Sequence, residues 1–113
     1  MRLESKKYLY DVLQAGKKLQ QFSEGKVFSD YQADAQLRSA TERQFEIIGE
    51  ALRRLTDQDL ATAARISERE RIISFRNILI HGYAEVDDRI VWDVLQTKLP
   101  TLLKEVEALL EEK

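Results

Sequence analysis

Apolar residues recur along most of this chain at steps of three and four, the spacing that lines up one face of an α-helix. Over residues 3–22 the repeating positions are Leu9, Val12, Leu13, Gly16, Leu19 and Phe22. Ser23-Glu24-Gly25 closes that segment, with Gly25 suited to a left-handed cap. Ser29-Asp30-Tyr31-Gln32 reads as a capping box opening a second helix over about residues 30–55, striped by Leu37, Thr41, Phe45, Ile48, Leu52 and Leu55. Thr56-Asp57-Gln58-Asp59 interrupts the stripe and caps a short turn reaching Arg65.

A second box, Ser67-Glu68-Arg69-Glu70, opens a third long helix that ends near His81, where Gly82 supplies a cap. Ala84-Glu85-Val86 is a loop, and Asp87 or Asp88 caps a fourth helix holding Val91, Trp92, Val94 and Leu95. Pro100 should kink or break that helix just before itself. Leu99, Leu102, Leu103, Val106, Leu109 and Leu110 carry the stripe into a last helix. No repeat and no alternating strand pattern occurs. Short connections between helices favour antiparallel neighbours, so the pattern predicts an all-α antiparallel bundle of four to five helices, one domain over residues 1–113.

The third helix departs from the one-face rule. Ile72, Ile73, Phe75, Ile78, Leu79 and Ile80 cover most of its circumference, which predicts a buried helix. Within the same stretch stand Arg76, Asn77 and the chain's one histidine, His81. Burying such groups costs free energy unless each finds a partner, so this polar cluster is the first place to look for function.

Composition narrows the chemistry. There is no cysteine among the 113 residues, which excludes disulfides and thiolate metal sites, and one histidine leaves no imidazole partner for a metal. The formal net charge is −2, with the signs interspersed, which argues against nonspecific coating of nucleic acid. No apolar run is long enough to span a bilayer, and Met1-Arg2-Leu3-Glu4-Ser5-Lys6-Lys7 lacks the apolar core of a signal peptide. A cytoplasmic protein with no membrane association is expected.

A neutral imidazole near pH 7 accepts and returns protons, which suits His81 to general acid–base work; alternatively it favours the helix dipole from the last turn. Arg76 is a permanent cation whose planar fork matches phosphate oxygens, or else a buried ion-pair member. Glu46 and Glu50 flank Gly49 on the second helix and are candidate partners for it. A glycine inside a helix costs about 1 kcal/mol relative to alanine, which close approach of another helix would explain. On an ideal helix Arg76 and His81 point about 140° apart, whereas Asn77 and His81 share a face. Arg76 and His81 therefore converge only if the helix ends or distorts at Ile80, or if two chains meet at a two-fold axis. Tyr83 packs over the helix end or presents its phenol to a base, a phosphate or a modifying enzyme. Asp57-Gln58-Asp59 reads as capping, Ser74 has no base at nucleophile spacing, and Arg53-Arg54 and Lys17-Lys18 are solvated faces or contacts to a phosphate backbone.

The segment Arg76-Asn77-Ile78-Leu79-Ile80-His81-Gly82-Tyr83 resembles the Arg-x4-His-x-Tyr motif of HepT-like proteins, members of the HEPN superfamily. Phe45-Glu46-Ile47-Ile48-Gly49-Glu50-Ala51 is similar to a second segment of that family. The resemblance implies the ribonuclease toxin of a HepT/MntA-type toxin–antitoxin pair, an all-helical symmetric homodimer acting on RNA without metal or other cofactor. It implies catalytic roles for His81 and Arg76, with Asn77 positioning them, and products ending in a 2′,3′-cyclic phosphate and a 5′-hydroxyl. It further implies that an MntA-like nucleotidyltransferase antitoxin adenylylates Tyr83. The alternative is a non-catalytic helical partner that binds a nucleotidyltransferase and presents RNA or nucleotide to it.

Overall fold

Four long helical rods carry the apolar stripes of the sequence. They are α1 (Leu3–Ser23), α3 (Ala35–Gln58), α5 (Arg69–His81), and a continuous rod of α6 (Asp88–Asp93), a π-turn (Val94–Lys98) and α7 (Leu99–Glu111). Two short helices, α2 (Phe28–Ala33) and α4 (Leu60–Ala63), join them. This computed structural model describes residues 1–82 and 86–112, and among these there is no strand. No helix among them is long and apolar enough to cross a membrane.

Side-chain pairs fix the directions of the rods. Ser5 Oγ donates to Asp59 Oδ2 at 2.6 Å and Gln58 Nε2 donates to the Tyr8 hydroxyl at 3.1 Å, so α1 starts where α3 ends. Glu68, at the start of α5, lies 4.0 Å from Lys98, while Ile78 and Ile90 line one cleft, so α5 runs antiparallel to the α6 rod. Asp88 sits 4.0 Å from Arg38 near the start of α3. The His81 end of α5 therefore points toward the start of α3, and these two rods are antiparallel as well. Between the rods Leu9, Val12, Leu19, Tyr31, Phe45, Ile48, Leu52, Leu55, Ile72, Leu99, Leu102 and Val106 are fully buried. Phe45 of α3 meets Phe75 of α5 edge to face, ring centroids 5.2 Å apart.

The structure corrects several local expectations. The long second helix is two helices. Asp34 breaks it in extended geometry (φ −111°, ψ 99°) and caps α3 by accepting from the Leu37 N–H at 3.0 Å. Ser29 is not the cap of α2; it lies inside that helix, whose entry is held by Asp30 Oδ2 accepting from the Val27 N–H at 2.9 Å. The helix then continues through Gln58, so Thr56 does not interrupt it, and Asp59 caps α4 by accepting from the Thr62 N–H at 3.3 Å. Ser67 does not cap α5 either: its hydroxyl donates to Glu105 of α7 at 2.9 Å, and Glu68 holds the N-cap position without a side-chain bond.

Gly25 takes the left-handed conformation expected after α1 (φ 73°). Asp87 caps α6, accepting from the Arg89 N–H at 2.9 Å. Pro100 deforms its rod without breaking it. Having no N–H, it deprives the preceding turn of one helical donor, and the chain answers with a π-turn in which the Leu99 N–H reaches back to the Val94 carbonyl.

One acidic side chain is held against its preference. Burial, Asp88 and Glu46 all raise the Glu42 carboxyl above the usual range, with Arg38 opposing. The folded state therefore binds this proton more tightly than the unfolded chain, and ionisation as pH rises through the raised value removes stability. Glu42→Gln is expected to melt at a higher temperature than wild type at pH 7, with the difference closing as pH falls toward about 4. A melting difference that is constant with pH would contradict this.

Candidate active site on α5

Arg76 leaves α5 where α3 comes closest. A Cβ placed on Gly49 would lie 2.3 Å from Arg76 Cβ and 2.6 Å from its Cγ, so only glycine lets the two rods touch here. The stem of Arg76 fills the space that a side chain at position 49 would take. Its guanidinium, held mostly out of solvent, is then gripped from two sides. Nη2 lies 2.9 Å from Glu50 Oε2, and Nη1 donates to Asn77 Oδ1 at 3.0 Å. The Arg76 Nε is buried with no hydrogen-bond partner among the described residues. Of the two glutamates flanking Gly49, Glu50 is the one that meets Arg76; Glu46 lies 3.7 Å from Arg43 instead. The Arg53 guanidinium, followed by burial working in the opposite sense and then by Arg54, sets the balance at Glu50, whose carboxyl is held below its usual range. Glu50 thus gives up its proton more readily than an ordinary glutamate, which favours the pair with Arg76.

The α5 helix is not buried all round. Ile72, Phe75 and Leu79 face the core, but Asn77 and His81 are exposed and Ile78 is 56 % exposed. The helix is regular through His81, and Gly82 continues it in a right-handed conformation (φ −80°, ψ −14°), its N–H bonding to the Ile78 carbonyl at 2.7 Å. No unwinding at Ile80 turns the imidazole toward the guanidinium. Within one chain Arg76 and His81 stay on different sides of α5, about 140° apart. Asn77 bridges part of this gap, since it holds the guanidinium and lies one turn before His81 on the same face. The expected loop and modification site, Tyr83, Ala84 and Glu85, lie outside the described residues.

Beside this face runs an apolar cleft of about 320 Å³ between α5 and the α6 rod, lined by Phe75, Ile78, Ile90 and Val94 and edged by Arg71 and Lys98. Ile78 of α5 and Ile90 of α6, both more than half exposed, flank this cleft. A separate groove of about 690 Å³ between the end of α1 and the π-turn carries no histidine or arginine. Among the described residues no group of three or more His, Asp or Glu is placed to hold a metal ion.

The sequence reads Arg53 and Arg54 as solvated faces or contacts to a phosphate backbone and does not connect them to Arg76. The signal was present, because Glu50 stands three and four residues before them, the spacing of helical ion pairs. Both converge on the carboxylate that holds Arg76.

Residues 12–109 match the family described as "Ribonuclease HepT-like". The chain is 31 % identical over 109 residues to the "Probable ribonuclease HepT" of Thermococcus cleftensis, covering 96 % of this chain and 98 % of the relative. It is 34 % identical over 104 residues to a protein of Caldanaerobacter subterraneus named "Putative RNase", with 92 % of each chain covered. A protein of Methanocaldococcus jannaschii, also named "Putative RNase", is 30 % identical over 102 residues, covering 90 % of this chain and 93 % of that one. No solved structure matches the chain.

Proposed function

The chain belongs to the HepT-like ribonuclease family, and on that premise we propose that it is a toxin-type, metal-independent endoribonuclease whose active site is completed by a second copy of itself. The observation that carries this reading is the grip on Arg76: a guanidinium fixed by Glu50 and Asn77, next to a face on which His81 is exposed. A fixed cation is what charge building on a phosphate needs, because it costs no reorganisation as the reaction proceeds.

In this mechanism the 2′-oxygen of a ribose attacks the adjacent phosphorus and the bond from phosphorus to the 5′-oxygen breaks. The one imidazole of each site takes the 2′-proton, or as imidazolium gives a proton to the leaving 5′-oxygen, and water carries the other proton. Arg76 neutralises the developing phosphorane charge, and Asn77 holds its fork in place. The products are a 2′,3′-cyclic phosphate and a 5′-hydroxyl.

The regular course of α5 supports the dimer. One chain keeps its Arg76 and His81 apart, and a two-fold axis along the exposed Ile78 face brings the imidazole of each copy toward the guanidinium of the other. Control follows the family likeness: an MntA-like nucleotidyltransferase antitoxin transfers AMP from ATP to the Tyr83 hydroxyl, releasing pyrophosphate. The added negative charge two residues from His81 then repels RNA.

The test is RNA cleavage in EDTA, combined with mixing of Arg76→Ala and His81→Ala chains. Each variant alone is expected to be inactive. Refolded together in equal amounts, half the dimers carry one intact composite site, which restores about a quarter of wild-type activity. No recovery on mixing removes the composite site, and wild-type protein that leaves RNA uncut in EDTA removes the metal-independent nuclease.

A further inference from the structure

We propose that Arg53 and Arg54 form a binding subsite for an RNA backbone phosphate flanking the one that is cleaved. This rests on the ribonuclease reading above and extends its site from α5 onto α3.

The starting observation is the crowding at Glu50. Its Oε1 accepts from Arg53 Nη2 at 2.8 Å and from Arg54 Nε at 2.9 Å, while Oε2 faces Arg76 Nη2 at 2.9 Å and accepts from Arg53 Nε at 3.4 Å. Three guanidiniums thus share one carboxylate. Each carries five N–H donors, whereas an ionised carboxylate has about four acceptor sites, so most donors go unspent on Glu50. Asp57, 3.6 Å from Arg53, adds a second carboxylate, and the cluster still carries more positive than negative charge. It does so on a chain whose formal net charge is −2.

Exposure distinguishes the members. Arg76 keeps 22 % of its side chain accessible and is committed to Glu50 and Asn77. Arg53 and Arg54 keep 46 % and 55 % accessible, and their planar forks match phosphate oxygens two at a time. Glu50, ionised by its arginines, holds all three cations in register without cancelling them.

Placement supplies the rest. His81 follows Arg76 by five residues, about 7.5 Å along α5 toward the start of α3. Arg53 and Arg54 follow Glu50 in the opposite sense, toward the end of α3, because the two rods are antiparallel. The partly buried Arg76 guanidinium and the exposed guanidiniums of Arg53 and Arg54 therefore follow one another along the α3–α5 contact, on the side away from the His81 end. A strand whose scissile phosphate lies between Arg76 and the imidazole supplied by the second copy runs on over Arg53 and Arg54, where its next phosphate meets the unspent donors.

The experiment is steady-state cleavage of a single-stranded RNA by Arg53→Gln/Arg54→Gln, with Arg53→Lys/Arg54→Lys alongside. Loss of the subsite is expected to raise KM about tenfold with kcat within about twofold, since a flanking contact binds ground state and transition state alike. The plot of log kcat/KM against log salt is expected to become shallower by about 0.7 per lost phosphate contact. The lysine pair keeps the salt slope and recovers part of KM, because charge is retained and the fork is lost. A thermal melt establishes that each variant is folded. Unchanged KM and salt slope in a folded glutamine variant overturn the subsite while leaving the nuclease standing, and binding of an acidic protein partner that alone responds to these arginines does the same. If wild-type protein cuts no RNA, the nuclease reading fails, and fluorescence anisotropy with an all-2′-deoxy oligonucleotide still decides the subsite: weaker binding by the glutamine pair upholds it, and equal or absent binding overturns it.

Discussion

Replacing His81 by alanine is expected to lower the rate of RNA cleavage about 10²–10⁴-fold, the range for loss of a positioned acid or base. The loss should fall on kcat and kcat/KM together, because proton transfer belongs to the transition state and not to binding. Stability should move by no more than about 0.5 kcal/mol, since His81 is exposed at the last turn of α5 and its removal opens no cavity. A thermal melt and a single-turnover cleavage assay on the same preparation check both halves. Cleavage by His81→Ala at the wild-type rate would take the imidazole out of the mechanism and leave Arg76 without a proton carrier.

Gly49→Ala is expected to damage both stability and activity. The new methyl would lie 2.3 Å from Arg76 Cβ, an atom fixed to the α5 backbone, so the rods must separate or Arg76 must turn away from Glu50. Overpacking of this kind costs about 1–3 kcal/mol, partly offset by the better helix propensity of alanine. The larger effect is on catalysis, because a displacement of about 1 Å at a positioning group costs about a hundredfold in rate. Gly16→Ala is the control. Its Cβ would lie 2.3 Å from Leu103 Cδ2, the far end of a flexible side chain between α1 and α7, away from α5. It should lower the melting temperature and spare cleavage. Full activity and an unchanged melt for Gly49→Ala would mean that the contact between α3 and α5 does not position Arg76.

Much of the fold was legible because helical periodicity is written in consecutive residues. The stripes of α1, α3 and α7 return as buried faces, and Gly25 and Asp87 sit where local chemistry places them. The misplaced boundaries share one cause. Ser29, Ser67 and Asp34 all suit capping by residue type, and which of them serves depends on distant competitors. Glu105, from another rod, claims Ser67, and Asp34 splits what periodicity reads as one helix.

The site divides in the same way. Arg76, Asn77 and His81 were identifiable as polar groups in an apolar stretch, and Gly49 with its flanking glutamates pointed to a close helix contact. The sequence could not choose between Glu46 and Glu50, because both lie near the face that Gly49 opens; packing against α5 selects Glu50. The sequence also overstated the burial of α5, since counting apolar residues around a wheel cannot show which side lacks a neighbour. Ile78 is left uncovered.

The order of residues alone settled that this chain is all-helical, which apolar stripes its long helices bury, and that one guanidinium and one imidazole share a single helix. Those are local properties, fixed by backbone sterics and by a repeat of 3.6 residues. Folding in three dimensions decided that Arg76 is clamped by Glu50 and Asn77, that two further arginines crowd the same carboxylate, and that α5 keeps an open face. These depend on distances between residues far apart in the chain, which short-range periodicity does not encode.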